Sequence, residues 1–325
     1  LPQVNASFLG DEANVAGSTG RENQYFIEGV NVTDPFLAAG GTRLPQNFVR
    51  EIQVKQGGYM PEHGAATGGI INVITHSGNN DFNGQIFGFL TNNNVASDSR
   101  RGIAEFQQTS FSRYDLGGAV GGAIARDKLW YFLAYNPTVE KEGLVIPGLS
   151  SYEDKAVAHL FASKLSWSPS PTTTLDLAVF GDPTSHDRVG GSFLITPQAT
   201  QLNADPLLMD RTLGAVTASL RGRTLLGENV IVEAAISRVE ANNQSKAATE
   251  VGLTESTYTD LYNSTLSGGM QDQFDHHTIR WGTELSTTLF AGRHELKLGL
   301  AYDHLALDED WFTETPDGRP GLVTR

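Results

Sequence analysis

Eight histidines are the residues of this 325-residue chain that would serve both as metal ligands and as proton carriers near neutral pH. They stand at His63, His76, His159, His186, His276, His277, His294 and His304. None pairs with another at the spacing that puts two ligands on one helix face, and no His-Glu-x-x-His run occurs. His276 and His277 adjoin, but a strand points neighbours to opposite faces, so the pair makes no site by itself. Asp308-Glu309-Asp310 offers oxygen ligands of the kind Ca²⁺ takes, and a solvated acidic loop has the same composition. No phosphate loop, nucleophile elbow or ordered Ser/His/Asp set is present. The absence of cysteine removes thiolate catalysis, disulfide staples and Cys-based zinc sites. The chain is therefore expected not to be an enzyme, with no catalytic residue, no metal site and no cofactor.

Charge narrows the partners. The 37 acidic side chains outweigh 23 basic ones, a formal net charge of −14. Nucleic acid is excluded as a partner, because phosphate binding needs a basic stripe. The charged fraction is only 18%, and there are 35 glycines. No apolar run is long enough for a transmembrane helix, which leaves membrane-crossing strands open. The chain begins at Leu1, in what reads as folded sequence, and is expected to be a piece of something longer.

The elements fall into two regions. Residues 1–80 hold β-type runs at Gln24 to Val30, Val49 to Val54 and Gly69 to Thr75. Turn chemistry separates them, and Pro45 opens one helical turn toward Phe48. This reads as a small α+β domain ending near Asn79-Asn80-Asp81. Residues 81–325 alternate with period two in about nine segments. Arg113, Asp115, Gly117 and Ala119 share one face; Tyr114, Leu116, Gly118 and Val120 share the other. Arg280, Glu284, Lys297 and Asp303 fall on the wet face of the last two segments, opposite Trp281, Leu285, Leu298 and Leu300. Two segments fit poorly: Leu129 to Ala134 is apolar on both faces, and Gln85 to Leu90 is mixed.

The connections sort by length. They are tight at Arg126-Asp127, Pro169-Ser170-Pro171, Leu226-Gly227-Glu228 and Ala291-Gly292-Arg293. Long polar stretches alternate with them, from Asn92 to Ser110, Asn136 to Asp154, Asp182 to Met209 and Asn242 to Asp272. An outer-membrane barrel sorts its loops this way, with short periplasmic turns and long extracellular loops. A soluble β-protein with one dry sheet face remains open on the alternation alone.

The N-terminal motif adds to this reading. Val49-Arg50-Glu51-Ile52-Gln53-Val54, then Gly57-Gly58, then Gly64 to Thr75 with Gly68, Gly69 and Asn72, resembles the plug signature of TonB-dependent outer-membrane receptors. Gly20 to Asn31 looks like the preceding plug strand, with Glu28-Gly29 where the family usually has Asp-Gly. Thr33-Asp34-Pro35-Phe36, Leu44-Pro45, Leu116 to Gly122 and Asp127 to Phe132 resemble the Oar-like branch. The resemblance covers about the first 135 residues and is architectural beyond them.

The resemblance implies a mainly β fold. Residues 1–80 would be the C-terminal part of a plug, and residues 81–325 the first strands of an antiparallel transmembrane barrel of about 22 strands. It implies outer-membrane lipid around the barrel, a TonB-type inner-membrane energy coupler as partner, and plug-gated uptake or export of a large solute or protein. A surface scaffold, adhesin or subunit of a membrane complex is the alternative. Arg50 and Glu51 are expected to pair with lumen-wall charges such as Glu284 or Lys297. The start of the plug, with the segment that engages TonB, and most of the barrel are expected outside this sequence.

Overall fold

In the computed structural model, the described residues are 4–6, 13–15, 17–35, 41–59, 64, 66–95, 107–145, 149, 151–190, 200–270, 273–312 and 322–324. A two-stranded ribbon of β1 (Val4–Ala6) and β2 (Ala13–Val15) opens the chain. A four-stranded sheet follows, built from β3 (Gln24–Ile27), β4 (Val30–Asn31), β5 (Val49–Lys55) and β6 (Ile70–Thr75). Its order is β4-β3-β6-β5, with β3 and β6 parallel and the other pairs antiparallel. The run expected from Gln24 to Val30 is broken by a two-residue turn. Glu28 and Gly29 both take positive φ, 53° and 75°, the requirement of the tight hairpin turn for which Asp-Gly is favoured. Pro45 precedes a 3-10 turn over Gln46–Phe48, which sets Phe48 fully inside.

The larger sheet holds β7 (Asn83–Asn92), β8 (Gln107–Ala125), β9 (Leu129–Val145), β10 (Ser151–Ser170), β11 (Thr173–Gly181) and β12 (Thr184–Gly190). Beyond the short β13 (Thr200–Gln201) it continues with β14 (Leu208–Leu226) and β15 (Val230–Ala247). After the helix α1 (Glu250–Thr254), β16 (Thr257–Asp260) and β17 (Thr265–Gly268) come β18 (Gln273–Ala291) and β19 (His294–Phe312). The order is β19-β18-β15-β14-β11-β10-β9-β8-β7, antiparallel throughout. β12 carries on the line of β11 past Asp182-Pro183, pairing with β10 and β14.

Asp127, Gly227 and Gly292, with φ of 62°, 64° and 61°, close tight turns at one end of the sheet. At the other end the expected long loops are partly ladder. β9 runs on to Val145 and β10 resumes at Ser151, so most of the Asn136 to Asp154 stretch is paired strand. Strands of 19 residues reach about 60 Å, well past an apolar band about 25 Å tall even when tilted. Polarity in these stretches marks exit from the apolar band, not loss of the ladder. Beyond them lie α1, capped by Thr249, and a small sheet ordered β13-β17-β16-β20, with β20 at Leu322–Thr324.

The two faces of the large sheet differ as the alternation predicts. Ile86, Leu116, Leu298 and Leu300 stand 65–87% exposed on the outer face. The opposite face is built from Ala119, Ala134, Ala162 and Ala178 with Phe132 and Phe180, all buried. This face packs against Ile27, Val32 and Phe48 of the small sheet, so the core lies between the two sheets. That explains the two poorly fitting segments. In β9, Phe132 and Ala134 face the small sheet while Leu133 faces out. In β7, Gln85 and Phe87 turn inward: Gln85 donates to the Asn47 carbonyl, and Phe87 meets Phe48 edge-on with ring centroids 6.3 Å apart.

Candidate functional site: the seam between the small sheet and the wall

The contact between the sheets has an apolar centre flanked by charges. Alanines on the wall keep it close to the small sheet, so Phe48, Ile27 and Val32 reach it directly. Each fully buried large side chain here contributes about 1.5–3 kcal/mol.

Glu28, at the tip of the β3–β4 turn, carries the most connected charge. Its Oε1 accepts from the Thr75 backbone N–H at 2.7 Å and the Thr75 hydroxyl at 2.6 Å. Its Oε2 pairs with Lys164 Nζ of β10 at 2.7 Å, with side chains only 13% and 10% exposed. A buried pair is tolerable when its remaining lone pairs are satisfied, and Thr75 satisfies them. A second charge pair joins Arg43 to Asp182, a nearly fully buried carboxylate. Asp182 Oδ2 accepts from Arg43 N and Nε at 3.0 and 3.3 Å, and Oδ1 accepts from Ala215 N at 3.0 Å. Pro183 has no N–H to offer the ladder, and at this break the Asp182 side chain turns inward to take Arg43. Arg43 also donates to the Thr184 hydroxyl at 2.8 Å.

The β3–β4 turn meets the wall on a second side. Arg280 Nη1 donates to the Asn31 carbonyl at 3.2 Å. The Arg221 guanidinium lies over Gly29, where an added Cβ would be 2.5 Å from Nη2. Arg221 also pairs with Glu284 at 3.8 Å. Val30 packs on Ala215 and Val239.

The signature residues separate by role. Arg50 and Glu51 are exposed on β5; Glu51 accepts from Gln53 Nε2 at 3.0 Å. Among the described residues no ion pair joins either to Glu284 or Lys297, because Glu284 is taken by Arg221 and the pairs to the wall come from Glu28 and Arg43. Gly57 and Gly58 form an exposed turn after β5, with Gly58 at φ 65°. The Gly64 carbonyl accepts from Gln24 Nε2 at 2.9 Å. Gly68 and Gly69 are buried; a Cβ on Gly69 would strike the Val15 side chain at 2.7 Å. Asn72 Oδ1 accepts from Gly29 N at 3.3 Å. These positions organise the small sheet internally, and only Asn72 reaches the turn that meets the wall.

Arg280, Glu284, Lys297 and Asp303 lie on the inward register, since Arg280 opposes Val239, Asp303 opposes Gly282 and Glu284 opposes Ala301. Glu284 and Lys297 line a cavity of about 720 Å³ with Gln53, Lys55 and Asn72. Sequence reasoning missed Glu28, Lys164, Arg43, Asp182 and Arg221 as seam residues. The Glu28-Gly29 pair at a hairpin tip and the Asp182-Pro183 break in an alternating run were the available signals.

The histidines stay apart from one another as sites. Among the described residues no group of three His, Asp or Glu side chains is placed to hold a metal. His63 lies outside those residues. His276 stacks on Phe274, 4.7 Å away, and sits 3.4 Å from Glu309. His277, on the other face, meets Glu240 at 3.1 Å. Asp308-Glu309-Asp310 is part of β19 and not a loop; pairing with β18 sends Glu309 to one face and its neighbours to the other.

A wide antiparallel sheet, apolar on its outer face and with a small folded sheet packed on its inner face, has the architecture of part of an outer-membrane β-barrel wall. A family model described as an outer membrane beta barrel domain matches residues 74–146. The chain is 36% identical over 131 residues to the TonB-dependent transporter Oar of Myxococcus xanthus, covering 38% of this chain and 12% of that protein. Among solved structures, the outer-membrane transporter YddB of Escherichia coli matches 95% of this chain and 45% of its own, with a TM-score of 0.69 and 13% identity. A mutant of the ferric enterobactin receptor PfeA of Pseudomonas aeruginosa matches 95% and 46%, with a TM-score of 0.64 and 14% identity. The chain thus spans under half the length of these relatives. Over those 131 residues it is a homologue of the Oar transporter, and its fold is that of part of the barrel of these outer-membrane proteins. These relatives are transporters and receptors, not enzymes.

Proposed function

We propose that this chain is the gated part of an energised outer-membrane transporter, with residues 1–80 belonging to the plug and residues 81–325 to the barrel wall. The observation that carries the reading is the small sheet seated on the inner wall by Phe48, Ile27 and Val32 and pinned by the Glu28–Lys164 pair. A barrel of about 22 strands has a lumen that must be filled to prevent leakage, and a folded insert fills it. The relatives support a TonB-type coupler in the inner membrane as the source of energy and a large solute or a protein as cargo.

The test compares spent growth medium, by untargeted mass spectrometry, from cells with the protein, cells without it, and cells without the coupler. Compounds left behind in both deletion strains support energised uptake. Compounds left behind only when the protein itself is missing would replace that reading with a scaffold or an unenergised pore.

A further inference from the structure

The long connections at one end of the wall do not stay separate. β13 belongs to the connection between β12 and β14, β16 and β17 to the one between β15 and β18, and β20 to the one after β19. The four nevertheless make one sheet, in the order β13-β17-β16-β20. Both joints between connections are parallel, β13 on β17 and β16 on β20. Asn203 secures the first joint. Its side-chain amide donates to the Gly268 carbonyl at 2.9 Å and accepts from the Gly268 N–H at 3.0 Å, across 65 residues of sequence. The amide thus bonds Gly268 as the peptide groups of a paired strand would. Gly268 holds φ 88°, and an added Cβ would strike the Ser256 carbonyl oxygen. The β9–β10 connection joins the same body, because Leu149 packs with Tyr152 on Ala204, Leu207 and Leu208. Met270 packs on Met209 and Ala247. Those two share a sheet face with Ala215 and Ala241, which meet Val30 of the small inner sheet. The assembly therefore leans over the inner side of the wall and not its lipid side.

We propose that the connections after β9, β12, β15 and β19 form one lid that moves as a single body and not loop by loop, with Asn203 as the joint that couples them. No strand of the lid is long enough to hold by itself: β13 has two residues, β20 three, and β16 and β17 four each. A lone two-stranded hairpin is marginal in water, and persistence takes further strands with a buried face. Here the further strands come from other connections, and the buried face carries Thr257 and Leu266, both almost wholly inside. Releasing one connection removes an edge of the sheet and uncovers that face, so the rest is released with it. A solute arriving over this part of the wall meets one moving body, and locking any one connection locks the others.

The test is amide hydrogen exchange on the full-length protein in lipid nanodiscs. In the wild type, residues 200–207, 257–268 and 322–324 are expected to share one protection factor to within about threefold, because they open together. Asn203→Ala removes both bonds to Gly268 and is expected to raise exchange roughly tenfold in all three segments, with residues 212–224 of β14 unchanged. Gly268→Ala, on the other connection, is expected to raise exchange at residues 200–207 as well, so the effect crosses the joint in both directions. Loops that move separately would give unequal protection in the wild type and a change confined to the substituted connection, and either result overturns the single-body lid. Should a variant also loosen residues 212–224, the wall itself is disturbed, and the shared protection of the wild type decides. The transport reading is tested in spent medium and the lid by exchange, so the failure of either is seen apart from the other.

Discussion

Glu28 shows how much one residue can carry when its backbone and side chain are used for different ends. Its φ of 53° is one that glutamate rarely adopts, and Gly29 beside it holds 75°, so the hairpin tip is sharp enough to project a carboxylate into the wall. Lys164 meets it where both side chains are nearly buried. Lys164→Met alone leaves that charge without its partner and is expected to destabilise the seating of the small sheet by roughly 3–5 kcal/mol. Adding Glu28→Gln should recover most of the loss. The urea concentration at which trypsin cuts within residues 24–75 measures both, and a double variant no better than the single one would show that the pair matters for something other than charge burial. Gly29→Ala tests the same turn through its backbone. It adds about 1–2 kcal/mol of left-handed strain and pushes on Arg221, so the urea midpoint should fall again. Glu28 was hard to single out in the sequence, because an Asp-Gly-like pair announces a turn but not what the turn touches. Its partner lies 136 positions away, and only the fold brings the two together.

At the scale of elements, the alternation was legible because the solvent is different on the two sides of the wall. Outer positions such as Leu298 and Leu300 face out, inner ones such as Ala162 and Ala178 pack inward, and each strand repeats the contrast. The segments that broke the pattern, Leu129 to Ala134 above all, are the ones whose inner face is covered by the small sheet. Strand ends were not legible. Polar residues from Asn136 to Asp154 signal departure from the apolar band, yet backbone pairing continues to Val145, because a hydrogen-bonded ladder needs no apolar side chain. The sorting of connections makes a sidedness prediction. Tyr262, 93% exposed at the β16–β17 tip and held there by Asp260, belongs to the long-loop end. Thr172 belongs to the tight-turn end. A membrane-impermeant maleimide should label Tyr262→Cys on intact cells and Thr172→Cys only after the envelope is opened. The reverse pattern would turn the barrel upside down and place the small sheet's linker outside.

For the whole molecule the question is what closes the sheet. Among the described residues β7 pairs only with β8 and β19 only with β18, so both margins offer unpaired backbone groups. β19 is 19 residues long and its outward side chains Leu296, Leu298, Leu300 and Tyr302 are 54–73% exposed. A long, apolar, unpaired edge does not persist in water, and in lipid each unpaired N–H and C=O costs several kcal/mol. The relatives, more than twice as long, point to further strands as the natural partner for that edge. Residues 1–325 expressed alone are therefore expected to aggregate or pair edge to edge. A chain that includes further strands should migrate on semi-native gels as a species whose mobility shifts on boiling, since a closed barrel resists detergent until heated. Should residues 1–325 alone give a discrete, heat-shifting monomer, the two margins must meet each other, and the wall would be a small closed barrel too narrow to hold the small sheet within it.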